Sequence, residues 1–382
     1  MKYLITTSPG LEQENAKEIQ ELTQKTPLLK ESGVLELDAE MADIYRILCG
    51  SFISSRVLMP LAEFYAWEKE VLYTEVKKIP WETIIADGET FVCDVHGRPD
   101  DCDYSAAQGL LKLKDALVDR IREKRGSRPD VDKENPTHQI EVFFWKGKTQ
   151  VSIDLCGEPL HRRNYRKAHG AAPLRESRAA AMIRMSGLIS QSGDKMPTSL
   201  YDPFCGMGTL CIEAALMLRK IPPANKRYIP KKGFIKNFHS DYLAVLTELR
   251  AGALDRAPIQ LIASDIDSSI IPRAKKAADM AGVGTDIQFA VTSFENQVFK
   301  SGYLISNPPY GERLEDEFEA KEILKKLGRK IKFESEIEKM VLLIPKGMEQ
   351  VTGLKPSSKT AWKAGPLELV VATYDLWKGK RQ

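Results

Sequence analysis

The chain has 382 residues, 43% of them hydrophobic and 29% charged, proportions that exclude wholesale disorder and fibrous repeats. That length exceeds one ordinary core and predicts two or three domains. Lys and Arg number 56 against 53 Asp and Glu, a net charge of +3 that excludes an indiscriminate polyanion-binding coat but leaves room for a local basic face.

The six cysteines, Cys49, Cys93, Cys102, Cys156, Cys205 and Cys211, form no C-x-x-C pair. Neither a zinc ribbon nor a disulfide framework is expected, and a reducing, cytoplasmic compartment fits. The opening MKYLITTSPGLEQE meets Pro9 and then acids, so it reads as neither a signal segment nor a membrane span.

In chain order, residues 2–7 alternate as a strand, 11–22 carry apolar residues at helical spacing, 33–37 read as strand and 41–48 as helix. This is an α+β, ferredoxin-like segment over 1–65. From 66 to 156 the pattern restarts: helix 67–77, strand 91–95, a long helix 105–125, then strands 140–145 and 149–154 joined by Lys146-Gly147-Lys148.

Residues 157–175 differ in texture. In LHRRNYRKAHGAAPLRESRAAAMI the cations Arg162, Arg163, Arg166, Lys167, Arg175 and Arg178 face one acid, Glu176, with Tyr165 and His169 interleaved. This reads as a basic linker entering a helix at 175. From 176 to 382 the chain repeats βα units, with strands at 200–202, 259–264, 287–291 and 303–306, helices from 209, 269 and 316, and last strands at 340–344 and 367–377. The expected fold class is α/β, a doubly wound, largely parallel sheet with a terminal hairpin. Residues 219–258 carry Lys226, Arg227, Lys231, Lys232 and Lys236 and read as insertion-like, a basic face or merely a solvated loop.

The first strand of that sheet runs into Asp202-Pro203-Phe204-Cys205-Gly206-Met207-Gly208-Thr209. Gly206 and Gly208 allow a sharp turn and close approach of backbone to ligand, although a tight turn without a ligand accounts for a lone G-x-G as well. The third glycine of a dinucleotide loop is missing, and the next strand-end acid, Asp265, lies far beyond the roughly 20-residue offset of that fingerprint. Nicotinamide is therefore disfavoured. S-adenosylmethionine suits the set: Asp202 for its amino group, Gly206 and Gly208 for its chain, Asp265 for ribose and Ile266 for adenine.

A further strand enters Asn307-Pro308-Pro309-Tyr310. An exocyclic amine on a base is a poor nucleophile because its lone pair is delocalised. The Asn307 side-chain carbonyl and the Pro308 backbone carbonyl can each accept one N–H and aim the lone pair at a methyl carbon. The prolines stiffen the loop and Tyr310 offers a stacking face. In-line methyl transfer of this kind needs no metal.

DPFCGMGTLCIEAA, ASDID and LISNPPYGERL, preceded by the basic linker, resemble the bacterial THUMP-domain RNA methyltransferases that modify guanine N2 of 23S ribosomal RNA. The resemblance covers nearly the whole chain. It implies a class I, Rossmann-like methyltransferase with a mixed seven-stranded sheet at 176–382, a THUMP RNA-binding domain at 66–156, and structured RNA (23S rRNA or a large-subunit precursor) as partner. It further implies catalysis around Asn307, Pro308, Pro309 and Tyr310. Cofactor contacts would come from Asp202, Phe204, Gly206, Gly208, Thr209, Asp265, Ile266 and Asn307. Ser293 would stand where many relatives carry an acid near the adenine, and Arg162, Arg163, Arg166 and Lys167 are the expected phosphate contacts. Two other readings stay open: an adenine-N6 DNA methylase using the same N-P-P-Y chemistry, and an RNA-binding protein that has lost the reaction.

Overall fold

The computed structural model describes residues 1–99, 102–145, 147–166, 174–191, 193–226, 239–310, 314–364 and 367–376. In the N-terminal half the elements are β1 (Lys2–Thr6), α1 (Glu12–Thr23), β2 (Leu28–Glu31), β3 (Val34–Asp38), α2 (Met41–Gly50), β4 (Arg56–Tyr65), α3 (Lys69–Lys78), α4 (Trp81–Ile84), β5 (Thr90–Arg98), α5 (Ala106–Arg125), β6 (Asp130–Val131), β7 (His138–Trp145) and β8 (Lys148–Asp154). All eight strands join one sheet in the order β2-β3-β1-β4-β8-β7-β5-β6.

Strand β4 makes that continuity. Its first residues pair with β1 (Thr6 opposite Arg56) and its length pairs with β8 (Leu58 opposite Asp154, Tyr65 opposite Lys148). The sequence reading places no strand here, and Pro60, which cannot donate to a ladder, is unusual in a central strand. The chain tolerates it through a register shift between Pro60 and Ala62. Alternate residues such as Ile5, Val57, Phe91, Val142 and Val151 are buried on one face of the sheet in a core with residues of α2, α3 and α5.

The C-terminal half contains α6 (Glu176–Met185), β9 (Ser199–Asp202), α7 (Thr209–Leu218), α8 (His239–Ala251), β10 (Gln260–Asp265), α9 (Ile271–Ala281), β11 (Ile287–Val291), β12 (Gly302–Ser306), α10 (Leu314–Glu334), β13 (Ile337–Pro345), β14 (Ser358–Ala364) and β15 (Leu367–Asp375). The sheet order is β11-β10-β9-β12-β13-β15-β14, parallel except where β15 runs antiparallel to both β13 and β14. The order of growth reverses between β9 and β12, the switch point at whose strand ends open α/β sheets hold their ligands. Registers Ala263 to Asp202 and Leu304 to Tyr201 set the carboxyl ends of β10, β9 and β12 side by side.

Helix α7 is apolar all round and every residue of it is buried, including its one acid, Glu213. Helix α8 lies within the stretch read as an insertion: its Tyr242 meets Tyr45 edge-on at 6.4 Å and Glu248 pairs with Arg46 of α2 at 3.1 Å, so it docks on the N-terminal half. Of the cations in that stretch, Arg227, Lys231, Lys232 and Lys236 lie outside the described residues. Leu11, Phe52 and Ile53 from the N-terminal half belong to the same apolar cluster as α6 and α7, which joins the two halves through a packed core.

Candidate active site

Asp202 ends β9 almost fully buried. Its carboxylate accepts from the Ser306 hydroxyl at 2.5 Å and the Phe204 amide at 3.3 Å. Burial pushes its pKa up to about 7, against the pull of those two bonds. The chain then turns through Gly206 and Gly208, both left-handed with φ of 50° and 77°. The two glycines differ in use. Gly206 has open space where a Cβ would sit, while a Cβ on Gly208 would stand 3.3 Å from the Phe289 ring, so Gly208 is where the turn seats against β11.

Asp265 closes the turn. One oxygen accepts the Gly206 amide at 2.9 Å and the other the Asp267 amide at 3.0 Å. The acid expected to hold ribose thus also fixes the glycine loop. Ile266 beside it is 76% exposed, an apolar face turned to solvent at the mouth of a cleft. Phe204 and Phe294 pack with ring centroids 5.2 Å apart on the same wall. The Ser293 hydroxyl accepts from the Glu295 amide at 3.2 Å, capping its turn, and retains a proton to donate.

On the other side of the switch point, β12 delivers Asn307. Its side-chain oxygen is buried and has no hydrogen-bond partner among the described residues. Such an acceptor costs about 1–3 kcal/mol unless something donates to it. Pro308 is buried, Pro309 is exposed on the cleft, and Tyr310 is half-buried against the core with the Arg178 charge beside it.

These elements enclose a cleft of about 850 Å³. Of the residues expected from sequence, Asp202, Phe204, Gly206, Thr209, Asp265, Ile266, Ser293, Asn307 and Pro309 line it. Gly208, Pro308 and Tyr310 do not: the first packs against Phe289, Pro308 is buried, and Tyr310 packs against the apolar core. Leu174, Arg273 and the α10 residues Glu319, Glu322, Ile323 and Lys326 also line the cleft. No short motif marks these; the last four arrive because α10 follows the Asn307–Tyr310 loop and passes the cleft.

The linker cations need correction one by one. Arg162 is exposed. Arg163 is buried: its guanidinium donates to the Phe52 carbonyl at 2.6 Å and to the Leu160 carbonyl, and pairs with Glu213 at 3.4 Å. Arg166 is likewise drawn inward, onto Glu176 at 2.6 Å, the Leu174 carbonyl and the Thr209 hydroxyl. A basic run reads as a solvated or phosphate-facing surface in sequence. These two guanidinium groups are instead held by acceptors inside the fold. Lys167 lies outside the described residues, as do His169 and residues 170–173.

The model of the RMKL-like methyltransferase domain matches residues 163–371, more than half of the chain. The chain belongs to the RMKL-like methyltransferase family. A THUMP domain matches residues 68–154, within the eight-stranded half. The chain is 36% identical over 326 residues to the ribosomal RNA large subunit methyltransferase K/L of Pseudoalteromonas atlantica, covering 82% of this chain and 45% of that protein. It spans about half the length of the curated relatives it matches. Among solved structures, a predicted N6-adenine-specific DNA methylase from Listeria monocytogenes str. 4b F2365 superposes with a TM-score of 0.84 at 28% identity, over 99% of this chain and 96% of that one. SMU.472, solved in complex with S-adenosylhomocysteine, superposes with a TM-score of 0.86 at 23% identity over 99% of both chains, a likeness of fold.

The family's methyl donor is S-adenosylmethionine, and the cleft fits it. The buried Asp202 carboxylate is a counter-charge for an ammonium, the open space at Gly206 admits a chain, and the exposed Ile266 offers an apolar face to a flat ring. Among the described residues no cluster of His, Cys, Asp or Glu could hold a metal ion, and no helix is long and apolar enough to cross a membrane.

Proposed function

We propose that this chain transfers a methyl group from S-adenosylmethionine to the exocyclic N2 amine of a guanine in 23S ribosomal RNA. The observation that carries the chemistry is the buried, unpartnered side-chain oxygen of Asn307 at the switch point of the sheet. An amine N–H is the donor such an acceptor wants, and the backbone carbonyl of the next residue, Pro308, would take the second N–H. With both hydrogens held, the nitrogen lone pair points out of the ring plane. S-adenosylmethionine supplies, when bound, a methyl carbon on a sulfonium that departs as a neutral thioether. The nitrogen–carbon bond forms as the carbon–sulfur bond breaks, and the amine proton then passes to solvent.

The RNA half of the proposal is supported by the THUMP domain, whose strands share one sheet with the N-terminal segment, and by the name of the 36% identical relatives. The adenine reading keeps one support, the description of the 28% identical Listeria protein. Asn307 does not separate the two, since either base presents an exocyclic amine. Nucleoside mass mapping does. Loss of one N2-methylguanosine from 23S rRNA on deleting the gene is expected, and a change confined to N6-methyladenine in DNA overturns the proposal.

A further inference from the structure

Helix α7 begins at the cofactor loop, and the linker grips it at two places. Three residues apart in the linker, Arg163 reaches Glu213 in its second turn and Arg166 reaches Thr209, its first residue. Tyr165 between them donates its hydroxyl to Glu213 at 3.0 Å.

Arg166 makes contacts at each edge of its planar fork. Nε and Nη2 hold the Glu176 carboxylate at 3.1 and 2.6 Å, while Nη1 donates to the Leu174 carbonyl at 3.3 Å and the Thr209 hydroxyl at 3.2 Å. Leu174 and Thr209 both line the cleft, whereas Arg166 stands behind them with its side chain about one-tenth exposed. Thr209 follows Gly208 directly, and the first amides of α7 have no partner within the helix, so a small turn of this residue re-aims the donors that face the cleft.

The anchor continues into the N-terminal half. Arg163 donates to the carbonyl of Phe52, in the loop between α2 and β4. That loop is itself tied to α1 by Glu18, which accepts from the Ser51 hydroxyl at 2.6 Å and from the amides of Phe52 and Ile53 at 3.0 and 3.1 Å. Hydrogen bonds and an ion pair therefore run from α1 through the Phe52 loop and Arg163 to Glu213 of α7, and the same linker, three residues on, holds the first residue of that helix through Arg166.

We propose that Arg166 is a positioning residue for the cofactor, fixing Thr209 and Leu174 as the wall of the cleft, and that the basic linker thereby makes cofactor affinity depend on how the N-terminal half is seated. The inference rests on S-adenosylmethionine as the methyl donor and not on which base is methylated.

Titration with S-adenosylhomocysteine alone, without RNA, tests it. Arg166→Ala is expected to weaken binding about tenfold or more, with the Michaelis constant for S-adenosylmethionine raised and the salt dependence of RNA binding unchanged. Arg166→Lys, which can satisfy Glu176 but not all three acceptors at once, is expected to fall between. Thr209→Val removes the acceptor hydroxyl at nearly constant volume, and combining it with either Arg166 variant is expected to lose no more than the worse single change. Wild-type affinity in Arg166→Ala, or losses that multiply in the double variants, overturns the proposal. So does a reduced RNA salt slope with cofactor binding intact, which returns Arg166 to the phosphate contacts. Should Arg166→Ala fail to fold, the Arg166→Lys and Thr209→Val pair carries the same test.

Discussion

Ser306, the last residue of β12, donates its hydroxyl at 2.5 Å to Asp202, the last residue of β9. The bond crosses the point where strand order reverses, so it ties the strand that leads to the glycine loop to the strand that leads to Asn307. It also bears on charge, because it favours the ionised form of a carboxylate that burial holds near pKa 7.

A pH dependence follows. With its folded-state value raised above 3.8, Asp202 in the cofactor-free protein stabilises the fold at low pH, and that contribution is lost as pH rises through about 7. A bound ammonium needs the opposite state, the carboxylate. Affinity for S-adenosylmethionine is therefore expected to rise several-fold between about pH 6 and 7.5, the change in ionised fraction of a group titrating near neutrality. Asp202→Asn should flatten the profile and, above pH 7, raise apo stability by roughly 1–3 kcal/mol. Ser306→Ala removes a donor to the anion and should move the midpoint upward. Calorimetric titration across pH checks all three; a steep profile surviving in Asp202→Asn would assign the titration elsewhere.

Asn307 sets activity against stability. Its side-chain oxygen is an unsatisfied buried acceptor in the free protein. Truncation to Ala should leave the fold as stable or slightly more so, keep cofactor affinity within about threefold, and lower single-turnover methyl transfer by roughly 10²–10³-fold. Near-normal turnover in Asn307→Ala would remove the lone-pair argument, whatever the melting temperature.

The parts of the molecule that can be read from sequence are those where local pattern and tertiary role agree. Strands β9, β10, β11 and β12 end in Asp202, Asp265, Val291 and Ser306 within a residue or two of expectation, because parallel strands are short apolar runs, and proline follows the ends of β9 and β12 within two residues. Strand β4 escapes because Pro60 breaks the local rule and a bulge absorbs it. Helix α8 escapes because its stretch opens with a cationic run and its apolar residues face another domain, which no local period reveals. The same holds for Arg163 and Arg166. Their acids, Glu213 and Glu176, lie 50 and 10 residues onward in the chain, and only folding brings them together.

That difference between neighbours in the linker gives the last prediction. Arg162 is exposed and Arg163 is buried against Glu213, whose pKa burial raises to about 7 even with the arginine beside it. If RNA phosphate meets the linker, Arg162→Ala should lower the slope of log affinity against log salt by about 0.7–0.9 and leave the melting temperature unchanged. Arg163→Ala should leave the slope alone and destabilise the fold by roughly 3–5 kcal/mol, since it strands a carboxylate in the core. The second loss should depend on pH in a definite sense. Without Arg163, Glu213 titrates higher still, so at pH 6 it is neutral and needs no counter-charge, while at pH 8 its ionisation works against folding. Denaturation of Arg163→Ala at the two pH values should show the larger deficit at pH 8. A deficit independent of pH would mean that the guanidinium acts through its bonds to the Phe52 and Leu160 carbonyls and not through the charge of Glu213.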